Sequence, residues 1–262
     1  MRWFAPSGPS PDLGSVLACR WSATSAGRHE LIPDGSIELL WIEGGGTWLC
    51  GPDTHGWGFD LPAGTATVGV RFRPGAGATV VGLDACEVRD LRVPLADVVG
   101  ARSERILSEL MADAGGPAER LTLFEDLVRR RVAEPPADPT ADLAALITAD
   151  PGHGVERLAE QTGVSSRQLR RRFDRDVGYG PAFFARIARL QRFARAAARW
   201  PRRGLAELAA LSGYVDQPHL AKDCRALAGM TPRELVTTLP RTSLAVRSVQ
   251  DAGVASERRW AA

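Results

Sequence analysis

The chain has 262 residues, enough for two domains of ordinary size, and 44% of them are hydrophobic, enough to bury a sizeable core. It has neither an apolar run of membrane-spanning length nor an apolar leader after Met1. That argues against a membrane span or a secretory signal and makes the cytoplasm the expected location. The net charge of +2 hides an asymmetry. Residues 1–139 carry 13 basic and 19 acidic side chains, whereas residues 140–240 carry 16 basic and 10 acidic. A basic C-terminal half fits a polyanionic partner such as nucleic acid.

The first hundred residues read as β structure. Ile37 to Ile42 is a short apolar run after the turn signal Pro33-Asp34-Gly35, and Gly44-Gly45-Gly46 ends it. Thr47 to Cys50 looks like its partner strand. Val68 to Arg73 alternates strictly, with Val68, Val70 and Phe72 on one face and Arg71 and Arg73 on the other, the period of a half-buried strand. Short strands with frequent Gly and Pro suggest a small barrel or sandwich. Five of the seven Trp precede residue 60, and Trp41 and Trp48 lie close in sequence to this strand region. Arg71, Arg73, Trp41 and Trp48 are therefore candidates for an effector site. If Val68, Val70 and Phe72 face the core, the two Arg face away from it, solvated or paired with acids such as Glu38 or Asp60. If the strand is reversed, two buried cations need an anionic partner, which an anionic effector would supply.

Two amphipathic helices follow, one through Ile106, Leu107, Leu110 and Met111, the other from Pro117 through Leu121, Phe124, Leu127 and Val128. They are expected to pack on the barrel, or in one case to form a dimer interface. Residues 133–139, with three Pro in five, read as an extended linker that predicts few contacts across it.

Beyond the linker the pattern is helical, and an internal repeat carries it. Leu158-Ala159, Gly163, Val164 and Ser165 correspond to Leu208-Ala209, Gly213, Tyr214 and Asp216, and each copy ends in Gly-x-x-Pro, at Gly178 to Pro181 and Gly229 to Pro232. Each copy has the physics of a helix-turn-helix. A small Ala permits close approach, Gly takes the sharp turn, Val or Tyr plugs the core, and Ser or Asp caps the second helix. Ser165 with Gln168, and Thr231 with Glu234, have the spacing of a capping box.

In the second helices Leu169 and Phe173, then Leu220 and Cys224, fall four apart, leaving the opposite face for DNA. The first such face offers Ser166, Arg167, Arg170 and Arg171; the second offers Gln217, His219, Ala221 and Lys222. Arg suits guanine and phosphate, Gln suits adenine, and an Ala methyl suits thymine. Between the copies Pro181 to Ala198 predicts a long helix with a stripe of Phe183, Ile187, Leu190 and Phe193–Ala194. At 1.5 Å per residue it spans about 27 Å. That length could set two recognition helices, about residues 165–174 and 217–228, in successive major grooves about 34 Å apart.

At these residues the chain resembles the AraC family of transcription regulators. The resemblance runs from Asp142 to Leu239. Its most specific parts are Gly213-Tyr214, His219-Leu220 and Arg225-Ala226-Leu227-Ala228-Gly229-Met230-Thr231-Pro232. The family commonly has an aromatic where Cys224 stands, a departure expected to loosen local packing. The resemblance implies sequence-specific DNA binding through both helices. Pro33-Asp34-Gly35, Gly51-Pro52 and Gly69 to Ala76 resemble, less specifically, the small cupin-like β-barrel sensor domain joined to such regulators. The cupin metal cluster is not visible, with His29 and His55 each standing alone.

The fold class expected is therefore α+β: an N-terminal small β-barrel or sandwich with two packed helices (1–132), the linker (133–139), an all-α domain of two helix-turn-helix units joined by a long helix (140–240), and a disordered tail (241–262). No Ser/His/Asp order, carboxylate pair or phosphate loop suggests an enzyme. The four Cys form no metal-ligand spacing and read as reduced thiols. No metal and no cofactor are expected. The partners expected are double-stranded DNA, with RNA polymerase, a small-molecule effector and a second copy of the chain as further candidates, and no membrane.

Overall fold

The computed structural model describes residues 4–132, 139–152 and 155–238. Most of the expected linker and the tail lie outside them.

The first domain is built on a six-stranded sheet in the order β1-β2-β7-β4-β5-β8 (Phe4–Ser7, Leu17–Thr24, Ala66–Phe72, Glu38–Ile42, Gly46–Cys50, Arg92–Pro94). All its pairings are antiparallel. A separate two-stranded ribbon pairs β3 (Arg28–Leu31) with β6 (Trp57–Asp60). Alternation along the strands gives the large sheet two different faces. Leu39, Trp41, Leu49, Val68, Val70 and Phe72 point to one side. There they meet the short helices α1 (Gly77–Val81) and α2 (Leu95–Val99) and the two longer helices α3 (Ala101–Asp113) and α4 (Pro117–Arg131). Both longer helices thus pack on the sheet. α3 buries Leu107 and Met111 but leaves Ile106 and Leu110 each 48% exposed. A buried carboxylate pins α4: Glu125 accepts from Ser10 N–H at 2.6 Å, Ser10 Oγ at 2.9 Å and Arg20 Nη1 at 2.8 Å. The other face of the sheet is covered by the ribbon.

The second domain comprises α5 (Pro139–Ala149), α6 (Val155–Thr162), α7 (Ser166–Val177), α8 (Pro181–Arg199), α9 (Leu205–Leu211), α10 (Gln217–Ala228) and α11 (232–238) around one helical core. α8 runs through its centre. The expected stripe holds at Ile187, Leu190, Phe193 and Ala194, but Phe184 rather than Phe183 is the fully buried ring at its start. The physical reason is a second layer. Residues 32–36 of the first domain cover the side of α8 that the sequence pattern leaves to solvent, and Ile32 is a member of the helical core. Gln191, buried there, donates from Nε2 to the Pro33 carbonyl at 2.6 Å.

The expectation of few contacts across the boundary is overturned. Arg89 Nη1 donates to the Gly178 carbonyl at 2.9 Å. Gly56 N–H donates to the Leu227 carbonyl at 2.6 Å. Gly178 lies against Pro52, and Gly75 lies against Ala141. A linker's composition speaks only for its own segment; here loops far from it in sequence carry the interface.

Candidate nucleic-acid interface and interior cavity

The two helix-turn-helix units are built alike. In the first, α6 ends at Gly163, whose φ of +66° turns the chain; in the second, α9 is followed by Gly213 at +83°. Left-handed backbone at these turns is cheap only without a Cβ. Val164 then packs against the core, as does the buried Tyr214. Ser165 caps α7 in a full capping box: Gln168 N–H donates to its Oγ at 3.3 Å and Gln168 Oε1 accepts from its N–H at 3.0 Å. Asp216 caps α10, accepting from His219 N–H at 2.7 Å. Both helices close on a left-handed Gly, 178 and 229.

The inward sides of these helices are apolar: Leu169, Phe173 and Val177 on α7, and Leu220, Cys224 and Leu227 on α10, are all buried. The outward side of α7 exposes Arg167, Arg170 and Arg171, with Ser166 half-buried. On α10, Gln217 and Lys222 are exposed, while His219 and Ala221 are half-buried. The His219 ring sits edge-on to Tyr214 with centroids 5.1 Å apart, so part of its surface serves packing. No ion-pair partner among the described residues holds Arg167, Arg170, Arg171 or Lys222, so their charge is free for another anion. The buried Asp223 points the other way, to Arg186 of α8 at 2.9 Å, and fastens α10 to the central helix. Arg225, one turn on from Lys222 and exposed, extends the cationic side beyond the residues picked out from sequence.

A cavity of about 340 Å³ lies between the ribbon and the large sheet. Trp21, Trp48, Trp57 and Phe59 are among its walls, and Arg71 and Arg92 reach it from β7 and β8. Of the four residues expected near an effector, Arg71 and Trp48 line it. Arg73 and Trp41 do not: Arg73 Nε donates to the Gly14 carbonyl at 2.7 Å, and Trp41 is buried on the opposite face under Arg120. Arg71 does face away from Val68, Val70 and Phe72, yet it is buried, because the ribbon encloses that side as well. Its partners are the protein's own carboxylates, Asp34 at 2.8 Å and Glu38 at 3.2 Å, so the need for an external anion falls away. Asp60 instead meets Arg28.

Asp34, Asp53 and Arg92 went unmarked in the sequence as cavity residues. Only the pairing of Glu38 with an Arg on a neighbouring strand was open to inspection there. His29 is buried at the wall, with Nε2 2.9 Å from Ser25 Oγ and its ring stacked on Phe59, and burial lowers its pKa. Among the described residues no group of three or more His, Cys, Asp or Glu is placed to hold a metal ion.

Two matched helix-turn-helix units on a shared central helix, behind a β-sheet domain, define a DNA-binding transcription regulator. The comparisons assign the parts. Residues 158–238 match a helix-turn-helix domain family, and that region of the chain is a helix-turn-helix domain of the AraC type. Residues 7–94 match a domain of unknown function, DUF6597. No curated protein matches the chain.

Among solved structures the chain is similar to ToxT from Vibrio cholerae. One form is 11% identical, covering 90% of this chain and 98% of that one with a TM-score of 0.47. An unsaturated fatty acid-bound form of ToxT is 9% identical over 81% of this chain and 96% of that one, with a TM-score of 0.43. No helix among the described residues is long and apolar enough to cross a membrane.

Proposed function

We propose that the chain reads specific double-stranded DNA by seating α7 and α10 in successive major grooves, with Ser166, Arg167, Arg170 and Arg171 on the first and Gln217, His219, Ala221 and Lys222 on the second. The observation that carries this reading is the pair of capped helices whose outer sides hold cations without protein partners. Cations so placed gain most from phosphate and guanine, and counterion release makes their binding salt-dependent. The reading makes the chain a regulator rather than an enzyme, working in the cytoplasm.

The same reading gives the first domain (1–132) an effector site in the cavity behind Arg71 and Trp48, and makes residues 140–240 the DNA-binding unit. Ile106 and Leu110 are the face on which a second copy would pack, and RNA polymerase is the partner through which a bound regulator would act. The test is genome-wide mapping of bound sites, followed by titration of the mapped duplex against bulk DNA at several salt concentrations. Equal affinity for both DNAs would remove sequence-specific reading.

A further inference from the structure

The cavity's charges are not evenly matched. Arg92 faces one carboxylate: its Nη1 and Nη2 lie 2.6 and 2.7 Å from Asp53, and its guanidinium lies 3.8 Å from the Trp57 ring centroid. Arg71 faces two, Asp34 and Glu38, so one negative charge is left over beside the cavity. Burial raises the Glu38 carboxyl above its ordinary value and Asp34 adds to the rise, while Arg71 opposes it.

The rest of the wall supplies ring surface. The indole N–H groups are spent within the protein: Trp21 donates to Glu38, Trp48 to the Gly45 carbonyl and Trp57 to Asp53. What remains for a ligand is aromatic surface, whose π faces are electronegative, aliphatic surface, carboxylate oxygen and, among the described residues of the wall, a single unpartnered buried donor, Arg92 Nε.

We infer that the cavity takes a small amphipathic cation, an aromatic or alkyl ammonium, with its charge beside the Asp34–Arg71–Glu38 cluster and its apolar body against the Trp and Phe rings. This rests on the reading of the cavity as an effector site and adds the ligand's chemical class. An anion would be a third negative group around one guanidinium. A neutral ligand of the same shape would exclude water and leave the surplus charge to be met by protonating Glu38, whose carboxyl is already raised, at a cost in free energy. A cation removes the surplus.

Asp34 also sits in the segment that grips α8: Pro33 accepts from Gln191, and Gly35 lies against Phe184 and Tyr179. A ligand that engages Asp34 therefore acts one residue from the central helix of the DNA-binding domain.

The experiment is calorimetric titration of the full chain with 2-phenylethylammonium, 2-phenylethanol and 3-phenylpropionate, three probes that share a ring and differ in charge. Duplex affinity is measured with and without each. The cation is expected to bind at least about tenfold more tightly than the alcohol, and the carboxylate most weakly. Asp34→Asn is expected to erase the cation's lead and leave the alcohol unchanged. If circular dichroism shows that variant unfolded, Glu38→Gln gives the same reading.

An alcohol or carboxylate that equals or beats the cation overturns the ligand class while leaving the cavity an effector site. If none of the three binds or changes duplex affinity, the effector reading falls together with the inference.

Discussion

The amide of Gln191 and the carbonyl of Pro33 meet at 2.6 Å, in a buried hydrogen bond between the central helix of one domain and the loop that carries Asp34 in the other. Replacing Gln191 with Leu removes the donor and leaves a buried acceptor unmet. A loss of about 1–3 kcal/mol in stability is expected. Urea unfolding of the full chain checks it; an unchanged midpoint would mean that the interface does not depend on this bond.

Gly35 tests the same interface by shape. Its φ is +81°, and a Cβ there would stand 2.5 Å from Phe184 Cε2. Gly35→Ala is expected to cost about 1–3 kcal/mol through backbone strain and overpacking. Adding Phe184→Leu should give a double variant that loses less than the two single changes together, because the clash is with that ring. Thermal melts of the three variants give the coupling.

On the DNA side, Arg171→Ala and Lys222→Ala are each expected to weaken binding. A base-reading residue should lose about 1–3 kcal/mol at one position of the site, whereas a phosphate contact should lose affinity evenly and lower the salt slope by about one. Titrations of single-base variants of the mapped site separate the two. Full affinity in both mutants would remove α7 and α10 as the docking side.

The helix-turn-helix units were legible from sequence because their determinants are local. Gly163, Ser165 and Gln168 lie within one turn of the chain, and a period of about 50 residues repeats the same chemistry at Gly213 and Asp216. The β strand around Val70 was legible for the same reason, through alternation, and those around Leu39 and Leu49 through a short apolar run between turn signals. The cavity was not. Its wall joins Asp34, Asp53, Arg71 and Arg92 from four separate segments, and whether Arg71 faces water or an enclosure depends on a ribbon whose position no short pattern encodes. The domain interface failed for a related reason: the burial of Phe184 and Gln191 is set by residues 32–36, some 150 positions away.

That interface bears on the fragment 140–240. Alone it uncovers Phe184 and Gln191 and loses Ile32 from its core. It is expected to keep its DNA sequence preference and to melt below the full chain. Scanning calorimetry and duplex titration of the fragment check both, and equal melting points would show that the interface adds nothing to its stability.

The thiols give a pH expectation. Burial pushes Cys19, Cys50 and Cys224 up to about 12, against about 9 when unfolded, and Cys86 is raised less and partly exposed. Between these values only the unfolded chain releases the thiol protons. The contribution of the three buried thiols to stability is therefore intact below pH 9 and declines as pH rises toward 12. Iodoacetamide at pH 8 should modify Cys86 ahead of the others, as peptide mass spectrometry will show; early labelling of Cys224 would contradict its burial in the helical core.

Lys222 is the single lysine among the 33 basic residues, and it stands exposed on the outward side of α10. Acylating chemistry aimed at side-chain amines therefore has one address in this protein, and that address lies on the side of α10 proposed to face the groove. On that proposal the chain carries its own occupancy reporter: shielding of one ε-amino group would record when duplex is bound, without a tag or an introduced residue. By the same token, enzymatic acetylation of this protein's lysine would remove a cation from that helix and from nowhere else.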